Sequence, residues 1–185
     1  MELEYRGGPI WGIDQNTKSG IAEGEPGSAP VLHTVNFRRD DTDTPEDLYE
    51  RATFYFADRF RHDPPGLIAI ERVVPPSAAQ GFTNHNTTLV TLGIYAIVIG
   101  IVRCKSIPLR IVGVSTWRKA FLGKGNLAGD VAKRAAVTTC KRLGWEPEDH
   151  NSAEAGGIWF WACGQVAPRQ LKTTKPFLFG EALAS

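Results

Sequence analysis

Three acidic residues in this chain stand where a charge is costly. Asp14 ends the apolar run Pro9-Ile10-Trp11-Gly12-Ile13, and Glu71 ends a second run, Leu67-Ile68-Ala69-Ile70. Glu154 lies 83 residues further on, in the helix-like segment Asn151-Ser152-Ala153-Glu154-Ala155. A carboxylate at the end of a buried strand needs a cation or a metal as partner. Two strand-end acids and one helix-borne acid therefore predict a pocket for divalent cations, which as hard ions take oxygen ligands. Each acid also has a plainer reading. Asp14 could be a strand-end turn residue, Glu71 the ion-pair partner of Arg72 or another cation, and Glu154 half of a capping box with Asn151. Capping and ligation are compatible at that last position.

Charge is the second chemical feature. The net charge of +1 hides a balance of −6 over residues 1–100 and +7 over residues 101–185. Between Ser115 and Arg142 there are seven basic residues, opposed by Asp130 alone. Such a patch is the footprint of a polyanion contact, or else a solvated helix face. Lys124 lies between Gly123 and Gly125, on a loop whose backbone can come close to a phosphate. Arg118, Lys119, Lys133 and Arg134 are candidates for further phosphates, mostly without reading bases. Phe82, in Gln80-Gly81-Phe82-Thr83-Asn84, is a candidate wedge for stacking on unpaired bases; the alternative is that it folds into a small satellite core.

The elements that must position these groups follow from patterning. Strands are predicted over residues 8–14, 20–22, 31–37, 67–74 and 109–114, the first three antiparallel. Thr44-Pro45-Glu46-Asp47 is a helix start with a cap, a proline at the first helical position and box-like spacing, and the helix should run to Arg61. Residues 75–86 read as a polar loop and Leu89–Val102 as a helix. Gly123–Asn126 reads as a loop, Ala128–Leu143 as a helix stopped by Gly144, and a last helix starts near Ser152. This is an α/β domain with a mixed sheet over residues 1–165, followed by a tail at 166–185.

At 185 residues the chain suits one domain with a sizeable core. An odd number of cysteines (Cys104, Cys140, Cys163) without metal-ligand spacing argues against a disulfide framework and for reduced, buried thiols in an intracellular protein. Met1-Glu2-Leu3-Glu4 lacks the basic start of a signal peptide. The apolar stretch at 89–102, broken by Thr91 and Gly93, reads as too short for a membrane span and as a buried helix.

In their order and spacing the acidic motifs resemble those of RuvC-type Holliday-junction resolvases, which have a ribonuclease H-like fold. Trp11-Gly12-Ile13-Asp14 followed by Gly20-Ile21-Ala22 looks like their opening hairpin. Ile68-Ala69-Ile70-Glu71, with Phe82 in the loop beyond, looks like their second acidic strand, and residues 149–155 like their terminal motif. Trp117-Arg118-Lys119 and Phe121-Leu122-Gly123 are similar to the phage-type branch. The resemblance spans residues 9–163. It implies that the Asp14 and Glu71 strands lie side by side, and that two Mg²⁺ ions (Mn²⁺ substituting) bind each site. Asp14 would be shared, Glu71 holding one ion and Glu154 the other. It implies a homodimer, with Leu89–Val102 as the candidate interface, acting on four-way or branched DNA in the cytoplasm of a bacterial or phage-infected cell. No membrane role is expected. The chain departs from the family at Asn151, where an acid usually stands three residues before the last one, and in having Glu154 for the commoner Asp. Asp149 and His150 could substitute as a fourth ligand if the last helix begins later than Ser152. A hybrid- or flap-cutting nuclease and a catalytically degenerate junction binder remain alternatives. A sugar-kinase or actin-like ATPase needs a longer chain and a second phosphate loop.

Overall fold

A computed structural model describes residues 4–73 and 85–170 of the chain. Its five strands are β1 (Ile10–Asp14), β2 (Lys18–Gly24), β3 (Val31–Asn36), β4 (Leu67–Glu71) and β5 (Leu109–Val112), in the spatial order β3-β2-β1-β4-β5. The pairings β1–β2 and β2–β3 are antiparallel, while β1–β4 and β4–β5 are parallel. The antiparallel opening and the adjacency of the two acid-bearing strands are as expected from the sequence.

Period-two alternation divides the sheet into two faces. Trp11, Ile13, Ile21, Ile68 and Ile70 point to one core, closed by α1 (Pro45–His62) and α2 (His85–Cys104). Ile10, Ala22, Leu32, Leu67 and Ala69 point to the other, closed by α3 (Val114–Leu122), α4 (Gly129–Arg142) and α5 (His150–Val166). Trp11 anchors the first core and Trp117 and Trp159 the second, all fully buried. Each large apolar side chain so buried contributes about 1.5–3 kcal/mol.

The α1 start matches expectation: Thr44 and Asp47 form a reciprocal capping box, with Pro45 opening the helix. Several expectations change. The strand predicted to Val74 ends at Glu71, and the one predicted to Val114 ends at Val112. α3 was not foreseen: Gly113 caps it without a side-chain bond, and Val114-Ser115-Thr116 are indifferent helix formers, so packing of Trp117, Phe121 and Leu122 must hold it. The helix predicted at 89–102 has 20 residues, enough by length and composition to cross a membrane, so its length excludes nothing. It is also not buried all round. Val90, Ile94, Val98 and Val102, one turn apart, pack onto the sheet, while Leu89 is 41% exposed. The thiols divide as well: Cys140 and Cys163 are buried, whereas Cys104 is exposed at the end of α2.

Candidate active site

The alternation that builds the second core also aims the acids. Asp14 continues the Ile10–Gly12 side of β1, and Glu71 continues the Leu67–Ala69 side of β4. Because β1 and β4 are parallel neighbours, both carboxylates emerge at the carboxyl ends of their strands and on the same face.

Glu154 arrives from above, on α5. This helix sits unusually low on the sheet because two glycines lie beneath it. A Cβ on Gly12 would meet the backbone of Ala155 and Trp159, and one on Gly20 would collide with the Asn151 backbone. Gly20 is the register partner of Asp14, so α5 crosses the hairpin directly over the first acid. Glu154, in the first turns of that helix, is only 7% exposed, as is Asp14.

Two consecutive residues of α3 hold the other two acids. The Trp117 indole N–H donates to Glu71 Oε2 at 2.6 Å. Arg118 Nη2 donates to Glu154 Oε1 at 3.0 Å. Around Asp14 a polar turn completes the support. Asn16 Nδ2 donates to Asp14 Oδ1 at 3.3 Å, and Asn16 Oδ1 accepts from Thr91 of α2. Gln15 Nε2 donates to the Glu71 carbonyl at 2.9 Å, tying the ends of β1 and β4 together. Gln15 and Asn16 escaped the sequence reading, although polar residues directly after a strand-end acid were the available signal. Trp117 stood out only by resemblance.

The electrostatics show three acids sharing one site. Burial pushes the Asp14 carboxyl well above the ordinary carboxylate range, and Glu71 and Glu154 push it the same way. Lys133 and Arg118 pull back without prevailing. Burial also raises Glu71, partly offset by the Trp117 hydrogen bond. A buried acid repelled by two others is short of positive charge, and a hard divalent cation would supply it. The oxygen-only donor set fits Mg²⁺. As the side chains stand, however, no group of three His, Cys, Asp or Glu residues among those described closes around one point. Two ions sharing Asp14 do not require one, since each would take one further acid, and Mg²⁺ keeps several waters in sites of this kind.

The candidates for a fourth ligand are placed differently from one another. Asp149 is the N-cap of α5: Oδ1 accepts from the Asn151 and Ser152 backbone N–H groups and from the Thr34 hydroxyl, and Oδ2 accepts from Asn151 Nδ2. Burial alone would raise this carboxyl, but these bonds together hold it below the usual range. Its oxygens are thus engaged in capping, with Ser152 rather than Glu154 completing the box. The helix starts two residues earlier than expected for this reason. His150 opens α5, half-buried. Asn151, bound to Asp149, stands one turn before Glu154.

The basic set also divides. Lys119 on α3, Lys124 in the loop after it and Arg134 on α4 are exposed. Lys133 is half-buried and near enough to act on Asp14, and Arg118 is occupied by Glu154. Phe82 lies outside the described residues.

No family model matches the sequence, and no curated protein matches it. The fold does have solved counterparts. RuvC of T. thermophilus in complex with a Holliday junction substrate aligns with a TM-score of 0.63 at 16% identity, over 91% of this chain and 99% of that one. A second RuvC structure, from Thermus thermophilus, gives 0.59 at 17%, with the same coverage. The yeast mitochondrial Holliday junction resolvase Ydc2 gives 0.59 at 15%, over 91% of this chain and 82% of that one. With strand order, pairing and helix layers already established, these likenesses lead to one conclusion: the chain has the fold of RuvC-type Holliday-junction resolvases.

Proposed function

We propose that this protein is a metal-dependent, structure-selective endodeoxyribonuclease with a ribonuclease H-like fold, which resolves four-way or branched DNA junctions as a homodimer by paired symmetric nicks. The observation that carries this reading is the convergence of Asp14, Glu71 and Glu154 on one face of the sheet, with basic α3 and α4 beside them. Asp14 interacts with both other acids and is the residue placed to be shared. Glu71 and Glu154 would each complete one of two Mg²⁺ (or Mn²⁺) sites. When bound, such ions activate water and stabilise charge on the leaving 3′ oxygen.

The chain's own residues do the positioning. Trp117 fixes the orientation of Glu71, and Asn16 that of Asp14. Lys119, Lys124 and Arg134 would hold backbone phosphates, and Lys133 would offset charge at Asp14. Phe82 would stack on unpaired bases. The outward face of α2 around Leu89 would meet the second subunit, which brings a second site to a junction with two cleavage points. The compartment would be the cytoplasm of a bacterium or a phage-infected cell, acting in recombination, repair or processing of phage DNA.

Asn151 in place of an acid, together with Arg118 on Glu154, favours one second reading, a junction binder that does not cut. Cleavage of a synthetic four-way junction against linear duplex, with Mg²⁺, Mn²⁺ or chelator, separates the two. Paired nicks that need metal and spare the duplex support the nuclease, and tight binding without cutting supports the binder. Asp14→Asn should abolish cleavage and keep junction binding, because it removes a metal ligand and not a phosphate contact. Cleavage retained by that variant would sink the active-site assignment.

A further inference from the structure

The Arg118 guanidinium reaches into the acid site and rests on Glu154, Nη2 to Oε1 at 3.0 Å. The two side chains are only 15% and 9% exposed, so solvent and salt screen the pair weakly. Arg118 also lies over the Trp117 ring, 5.3 Å from its centroid, but its hydrogen bonding is incomplete for a permanent strut. Its other bond, Nη1 to the Leu127 carbonyl, is 3.4 Å long, beyond the usual range. Its Nε–H is buried without an acceptor among the described residues. A guanidinium carries five donors in a planar fork, and a buried donor left empty is costly. Phosphate oxygens match that fork, and the loop holding Leu127 also carries exposed Lys124.

We infer that Arg118 is an internal counter-cation of Glu154, which a divalent cation must displace, and that a DNA backbone phosphate is the acceptor to which the guanidinium then turns. The inference rests on the proposed function, in which Glu154 holds a cation. Arg118 and that cation compete for one carboxylate, so cation binding at Glu154 is weakened while DNA is absent. Phosphate draws Arg118 away, and by linkage phosphate and cation strengthen each other's binding.

Mn²⁺ binding to the full chain, measured by calorimetry without DNA, tests this. Arg118→Met keeps much of the aliphatic stem and removes the charge, and it should bind Mn²⁺ five- to tenfold more tightly than the unmutated protein. Adding Glu154→Gln to that variant should cancel the gain. Equal affinity within twofold, or weaker binding by Arg118→Met, overturns the inference. Should that variant fail to fold, the unmutated protein decides. Its Arg118 Nε–Hε resonance, assigned by its loss in Arg118→Lys, should move as Mg²⁺ saturates, and a resonance that stays put overturns the inference. Asp14→Asn separates the two levels. Cation binding that Asp14→Asn removes and Arg118→Met leaves unchanged refutes only the role of Arg118. No binding to any of these proteins refutes the metal site as well.

Discussion

Trp117→Phe isolates the support of Glu71. The indole N–H donates to Glu71 Oε2 at 2.6 Å, and the ring is fully buried against Gly157. A hydrogen bond to a charged acceptor is worth about 1.5–3 kcal/mol. The smaller phenyl ring also leaves space, at a further cost of about 1 kcal/mol. The variant should therefore lose roughly 2.5–4 kcal/mol of folding stability, measured by denaturant unfolding without metal. Burial raises the Glu71 carboxyl and the Trp117 bond restrains it, so losing the bond raises it further. A higher pH is then needed to ionise Glu71, and the acid limb of the cleavage profile should move to higher pH. Removing a group that orients a metal ligand typically costs about 10–100-fold in metal affinity. Mn²⁺ calorimetry and a pH series of junction cleavage read both effects. An acid limb and a cation affinity that match the unmutated protein, in a variant that has lost stability, would refute the placement of Glu71 as a ligand.

Three further outcomes follow from the geometry. Asp14 and Glu71 have folded-state pKa values above their unfolded ones, so their contribution to metal-free stability is present at low pH and is lost as pH rises through the raised values. Cation binding needs the ionised acids, so the Mg²⁺-induced rise in Tm should grow with pH from about 4 upward, and a rise that shrinks with pH would contradict the assignment. Lys124→Ala should weaken binding to all branched DNAs alike and reduce the salt slope by about 1; an unchanged slope would mean that Lys124 touches no phosphate. Gly20→Ala places a methyl group against the Asn151 backbone, so it should lift α5, cost about 3 kcal/mol and abolish cleavage, and an unaltered melting curve would disprove the close seating of that helix.

Much of the frame was legible because it rests on local rules. Continuous apolar runs ended by Asp14 and Glu71 mark strands whose last side chain cannot be ordinary core, and Thr44-Pro45-Glu46-Asp47 specifies a helix start through bonds within four residues. The extent of α2 and the start of α5 were less legible, since both depend on what lies against them. Asp149 read only as a substitute ligand, and the Thr34 hydroxyl, 115 positions away in the chain, helps make it a cap.

By itself the sequence determined the kinds of chemistry available: three carboxylates at costly positions, a basic segment, and strands with a side for each core. Only the tertiary structure decided which charges meet. Arg118 read as one phosphate contact among several, yet α3 turns it onto Glu154 while the next residue, Lys119, stays in solvent. The helix-to-sheet approach that permits this depends on absent side chains at Gly12 and Gly20, and on a neighbour more than 130 residues away in the chain. Local propensity carries no information about such a neighbour, because a partner's distance is set by packing and not by chain order.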